Sequence, residues 1–163
     1  MLKLLGCLFV LCGGFSVRCE LARAERRACG TLRGMELLLR RMEQQIALSL
    51  TPLPELFTLR GFSAETDAFA AEVGQALRCG AALDEAWSRA LLRLPLREEE
   101  RAALTPLAQL LDAQEEQARH ALRYAAGELA RLARERERRS RERSRLATAL
   151  CFSASFLICI VLL

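Results

Sequence analysis

Two uncharged tracts, one near each end of the chain, constrain its fold more than any other feature. Residues 146–163 (LATALCFSASFLICIVLL) contain no charge over 18 positions, which as a helix spans about 27 Å at ~1.5 Å per residue. That length approaches the hydrocarbon thickness of a bilayer, so the tract predicts a C-terminal transmembrane helix. Residues 4–17 are 14 uncharged residues between Lys3 and Arg18. Such a length suits a signal-peptide core, but no Ala-x-Ala-like cleavage site follows, and Lys3 can snorkel to lengthen the span. The expectation is an uncleaved, signal-like anchor over residues 1–17.

Charges beside the tracts set their orientation. Residues 18–41 hold seven Arg against three Glu, and residues 131–145 hold eight Arg against three Glu. Basic residues close to a span stay on the cytoplasmic side. Both basic flanks border the same middle region. The predicted organisation is therefore a transmembrane helix over 1–17, a cytoplasmic domain over 18–145 and a transmembrane helix over 146–163.

The middle region reads as all-α. Leu and Ala fill 59 positions of 163, whereas Val, Ile and Thr together fill 13. Unbranched side chains keep their rotamers in a helix and β-branched ones lose them, so a sheet enzyme is excluded. Met35, Leu38, Met42 and Ile46 recur at helical spacing over residues 20–50, and Thr51-Pro52-Leu53-Pro54 must end that helix. Thr51 is placed to cap a second short helix, with Pro52 at its first position and an end near Gly61. A third helix over 64–78 carries Phe69, Val73 and Leu77 on one stripe and stops at Gly80. A fourth over 83–94 presents Leu83, Trp87, Ala90, Leu91 and Leu94 and is closed by Pro95. The acids of Glu98-Glu99-Glu100 suit a helix start, and a short helix there runs to Leu104. From Leu107 to Leu163 no proline intervenes, which predicts one long helix running into the bilayer. Trp87 is expected to anchor the core with Phe69, Val73, Leu77 and Leu91.

Catalytic raw material is sparse. One His, seven Cys without a Cys-x-x-Cys pair, and no glycine-rich phosphate loop argue against a metal site, a disulfide framework or nucleotide chemistry. His120 has no ligand partner at useful spacing, and most of the 17 Glu are interleaved with Arg. No enzyme activity, cofactor or metal is expected. The run over residues 131–145 fits helical Glu–Arg pairing, such as Glu135 with Arg138 and Arg139, together with contact to anionic lipid head groups. Nucleic acid is not expected, because no aromatic residue lies in the run to stack on a base.

Several segments together resemble the stage III sporulation protein AB family. They are Met42-Glu43-x-x-Ile46, Thr51-Pro52-Leu53-Pro54-Glu55, Phe69, Leu77 and Gly80, and Glu85-Ala86-Trp87-x-x-Ala90-Leu91. The layout is similar too, with a MLKLLG-type first span, a late Gln117 and a long terminal helix. The chain departs from the family where Leu110-Leu111 replaces Leu-Gly, and where Ala113 holds the usual place of an Asp while Asp112 lies one residue earlier. The resemblance implies a non-enzymatic mother-cell membrane component facing the forespore, similar to the inner-membrane platform proteins of secretion systems. It implies a secretion-type ATPase and other membrane proteins of the same complex as partners. Glu43, Thr51, Pro52, Pro54, Glu55, Glu85, Trp87 and Gln117 are the candidate structural or partner-contact residues. The residues also fit a membrane tether dimerising through its last helix, or a lipid- or RNA-binding adaptor using the Arg run.

Overall fold

A computed structural model of the chain describes residues 2–48, 53–111 and 115–162, with side chains described for 19–47, 55–111 and 115–142. Among the described residues there is no strand. Seven helices follow in order: α1 (Leu2–Leu48), α2 (Leu53–Leu56), α3 (Ala64–Arg78), α4 (Leu83–Leu92), α5 (Glu98–Leu104), α6 (Leu107–Leu111) and α7 (Glu115–Leu162). The long helix expected from Leu107 is thus described as α6 and α7, and residues 112–114 lie outside the described residues.

The frame is an antiparallel pair. α1 is 47 residues and α7 is 48, each about 70 Å at ~1.5 Å per residue. Glu43 of α1 meets Arg123 of α7, Arg33 meets Glu137, and Glu25 meets Arg136. Glu43, late in α1, meets the early part of α7, whereas Glu25 and Arg33, earlier in α1, meet positions 13 and 14 residues further along α7, so the two helices run in opposite directions. Their apolar stripes face each other: Ala28, Leu32, Met35, Leu39 and Met42 on α1, and Ala118, Leu122, Ala125, Leu129 and Ala133 on α7. Each stripe steps by three or four residues, the repeat of one helical face.

The shorter helices pack onto this pair. α3 starts at Ser63, whose hydroxyl accepts from the Thr66 N–H at 3.2 Å, and the Asp67 carboxylate accepts from the Gly61 and Phe62 amides at 3.2 Å each. Gly34 lets that helix start approach α1, because a Cβ there would lie 2.5 Å from Thr66 Oγ1. α3 stops where expected. Gly80 takes φ +82°, and the Gly80 and Ala81 amides donate back to the Leu77 and Ala76 carbonyls at 3.0 Å each. This closes the last turn with a left-handed residue that only glycine adopts at little cost.

α2 is shorter than expected. It ends at Leu56 rather than near Gly61, because both the amide and the hydroxyl of Thr58 turn back to the Glu55 carbonyl. Thr51 and Pro52, the expected cap and first residue, lie outside the described residues, as does the Pro54 side chain. α4 ends at Leu92, two residues early, where Arg93 and Leu94 tighten into three-residue turns onto Ala90 and Leu91 ahead of Pro95. Among the described residues no helix is long and apolar enough to cross a membrane. The tracts 4–17 and 146–162 lie within α1 and α7 at positions whose side chains are outside that set, and Leu163 is outside it altogether.

Candidate functional site

Trp87 sits where its stripe predicts, enclosed on α4 with 0% exposure. The Phe69 ring meets it edge-on at 5.0 Å, and so does Phe57, at 6.1 Å, a neighbour the periodicity did not indicate. Its indole N–H donates to the Leu104 carbonyl at 3.0 Å. That oxygen is one of the acceptors a helix C-terminus leaves without an intrahelical donor, so Trp87 fastens the end of α5 as well as filling the core.

The other candidate residues do not form one cluster. Glu85 is exposed on α4 and, among the described residues, pairs with Arg89 alone, one turn away at 2.7 Å. Glu55 and Gln117 are also exposed. Glu43, a candidate structural or partner-contact residue, lies between the two long helices: its carboxylate accepts from Arg123 at 2.7–2.8 Å and helps bind α1 to α7. Its charge is spent inside the chain.

One arginine of the run is enclosed, while Arg131, Arg134, Arg138, Arg139 and Arg141 are exposed. Arg136 is 7% exposed and joins three helices. Its Nε and Nη2 donate to the Glu25 carboxylate at 2.8 and 3.2 Å, and its Nη1 donates to both oxygens of Glu100 at 2.8 Å. Glu100 is the third residue of α5 and also accepts from the Arg97 amide at 2.7 Å, satisfying a donor at the helix start. The Arg97 side chain reaches Glu25 at 3.1 Å. Burial opposes the Arg136 charge, but the Glu25 and Glu100 carboxylates outweigh it and hold its pKa above the ordinary arginine value. Burial also pushes the nearby Cys29 thiol up, with Arg136 pulling the other way, so Cys29 is a poor nucleophile.

Around this node the expected pairing is corrected in detail. Glu135 pairs with Arg139 and Arg131, whereas Arg138 pairs with Glu142 one turn further on. Sequence reasoning missed Arg136 because it treated all eight arginines alike. A signal was present: Arg136 falls three residues after Ala133 and seven after Leu129, on the apolar stripe of α7. Glu25 falls three before Ala28 on the stripe of α1. A charge on each buried stripe, of opposite sign, marks the pair once the helices are known to be antiparallel.

Beyond the node the two helices bound a shallow cleft of about 450 Å³, lined by Ala22, Arg26, Cys29, Gly30, Arg33, Glu137, Ser140 and Arg141 among others. No group of three or more His, Cys, Asp or Glu that could hold a metal occurs among the described residues.

These features define a class: a helical protein in which a long antiparallel pair, fixed by a buried ion node, carries a small helical cap. The chain belongs to the stage III sporulation protein AB family, whose model matches residues 3–163. Membership implies a role in stage III of sporulation. No curated protein and no solved structure matches it.

Proposed function

We propose that the chain is a non-enzymatic membrane platform of the stage III sporulation channel complex. Its two terminal tracts cross the mother-cell membrane side by side, and residues 18–145 face the cytoplasm, where they meet a secretion-type ATPase. The observation that carries this reading is the antiparallel register of α1 and α7. Continued past Glu25 and Arg136, it sends both uncharged tracts out of the same end of the molecule. Two spans entering one membrane from one side need that arrangement. The basic residues next to both tracts suit a cytoplasmic, anionic lipid surface.

A tether dimerising through the apolar face of its last helix fits less well, since α7 buries that face against α1 of the same chain. An RNA adaptor fits less well too, because Arg131, Arg136, Arg138 and Arg139 have close carboxylate partners and no aromatic residue lies in the run to stack on a base. The platform reading predicts that the tagged full chain, extracted in detergent from sporulating cells, retains the secretion-type ATPase. It also predicts weaker retention by Glu85→Ala, whose side chain is exposed and unneeded for packing. A wild-type chain that retains no such ATPase would contradict the reading.

A further inference from the structure

We propose that the mouth of the cleft between α1 and α7, flanked by Arg26 and Arg141, binds the phosphate-bearing head group of an anionic phospholipid. The inference rests on the membrane reading above and assigns it a particular site.

Unspent charge is the first argument. Residues 18–27 and 134–145 together hold eleven Arg and five Glu, a net +6, whereas the whole chain is +4 and the remainder nets −2. The antiparallel register gathers both segments at one end. Within the cleft, Arg33 and Arg141 converge on a single carboxylate, Glu137, the latter at 3.9 Å. Glu25, which also faces the cleft, is committed to Arg136 and Arg97. Among the described residues Arg26 has no carboxylate within ion-pair distance. Three guanidinium groups therefore share one free-facing negative charge. Arginine presents its donors as a planar fork that matches phosphate oxygens two at a time.

Space and position agree with that charge. The floor is made of small residues, Ala22, Cys29, Gly30 and Ser140, and a Cβ added at Gly30 would meet nothing within 4 Å. Ala22 and Arg141 each lie five residues from the edge of an uncharged tract, about 8 Å along a helix. The polar layer of a bilayer is roughly 5–8 Å deep on each side, so the mouth of the cleft lies at head-group level. Arg26 lies about 13 Å along α1 and reaches the same level by extending its stem. A lipid phosphate is held at that depth by its own acyl chains. A free phosphate has no such reason to prefer the cleft, which favours the lipid as the source.

The test uses the full chain in detergent, titrated with phosphatidylglycerol or phosphatidylcholine, with bound lipid counted by native mass spectrometry. Insertion of the same protein into phosphatidylcholine vesicles, resistant to alkaline washing, is measured alongside. The wild type should retain phosphatidylglycerol in preference to phosphatidylcholine. The double variant Arg26→Gln/Arg141→Gln should bind phosphatidylglycerol about tenfold or more weakly. The double control Arg40→Gln/Arg41→Gln, exposed changes of equal total charge on α1 away from the cleft, should match the wild type. Equal binding by wild type and double variant, or equal retention of the two lipids, overturns the inference while leaving the membrane reading intact. Displacement of phosphatidylglycerol by inorganic phosphate also overturns it, since the site would then serve the free anion. A wild-type chain washed from the vesicles overturns the membrane reading and this inference with it.

Discussion

Trp87 and Arg136 are both enclosed, with 0% and 7% exposure, and they hold their parts of the molecule by opposite means. Around Trp87 the joint is apolar: aromatic rings at 5.0 and 6.1 Å, with one hydrogen bond to the Leu104 carbonyl. Around Arg136 the joint is ionic, with one guanidinium shared between carboxylates from two other helices. The apolar joint gains stability from the area it removes from water. The ionic joint returns much of its Coulomb attraction as desolvation cost, yet breaking it is expensive because a buried charge is stranded. Its net value lies mainly in fixing how α1, α5 and α7 meet.

That contrast can be broken first at Trp87. Trp87→Ala removes the largest enclosed side chain and strands the Leu104 carbonyl, so it should lower the unfolding free energy by about 3–5 kcal/mol. Denaturant unfolding of the purified chain, followed by far-ultraviolet circular dichroism, checks the value. No single companion substitution should restore it.

Arg136→Met should be nearly as costly, at about 3 kcal/mol, because Glu100 is left buried opposite Glu25. Here a companion change should help. Adding Glu100→Gln removes the stranded charge while keeping an oxygen for the Arg97 amide, and most of the loss should return. A double variant as unstable as the sum of its single changes would show that the two sites are not coupled.

A smaller effect should come with opposite signs from two glycines on α1. Gly34→Ala forces a Cβ against Thr66 Oγ1 at 2.5 Å and should cost about 1–3 kcal/mol. Gly30→Ala faces open space and should stabilise by about 0.5–1 kcal/mol through helix propensity. Equal thermal midpoints for the two variants would contradict the close approach of α3 to α1.

The smallest change is expected at Glu85. Its pair with Arg89 is exposed on both sides, so Glu85→Ala should stay within about 0.5 kcal/mol of the wild type.

What could be read from the sequence follows the same division. The stripe Phe69, Val73 and Leu77 with the stop at Gly80, and the stripe Trp87, Ala90 and Leu91, predicted α3 and α4 because apolar spacing and glycine conformation are local properties. The capping role of Ser63 and the enclosure of Phe57 were not apparent, since both depend on where α3 lands on α1. The ionic joint was least legible. Glu25, Glu100 and Arg136 are separated by 75 and 36 positions, and only the antiparallel register brings them together. The partner of Glu43 was hidden for the same reason, because Arg123 lies 80 residues away.

The central claim is that both ends of the hairpin cross a membrane while the bundle faces the cytoplasm. Cys79 offers a direct probe, because it is a free thiol, exposed just past the end of α3. In a chain whose other six cysteines are replaced by alanine, an impermeant maleimide should leave Cys79 unlabelled in intact cells and label it after permeabilisation. Labelling of Cys79 in intact cells would contradict the claim, since its exposure removes burial as a reason for silence.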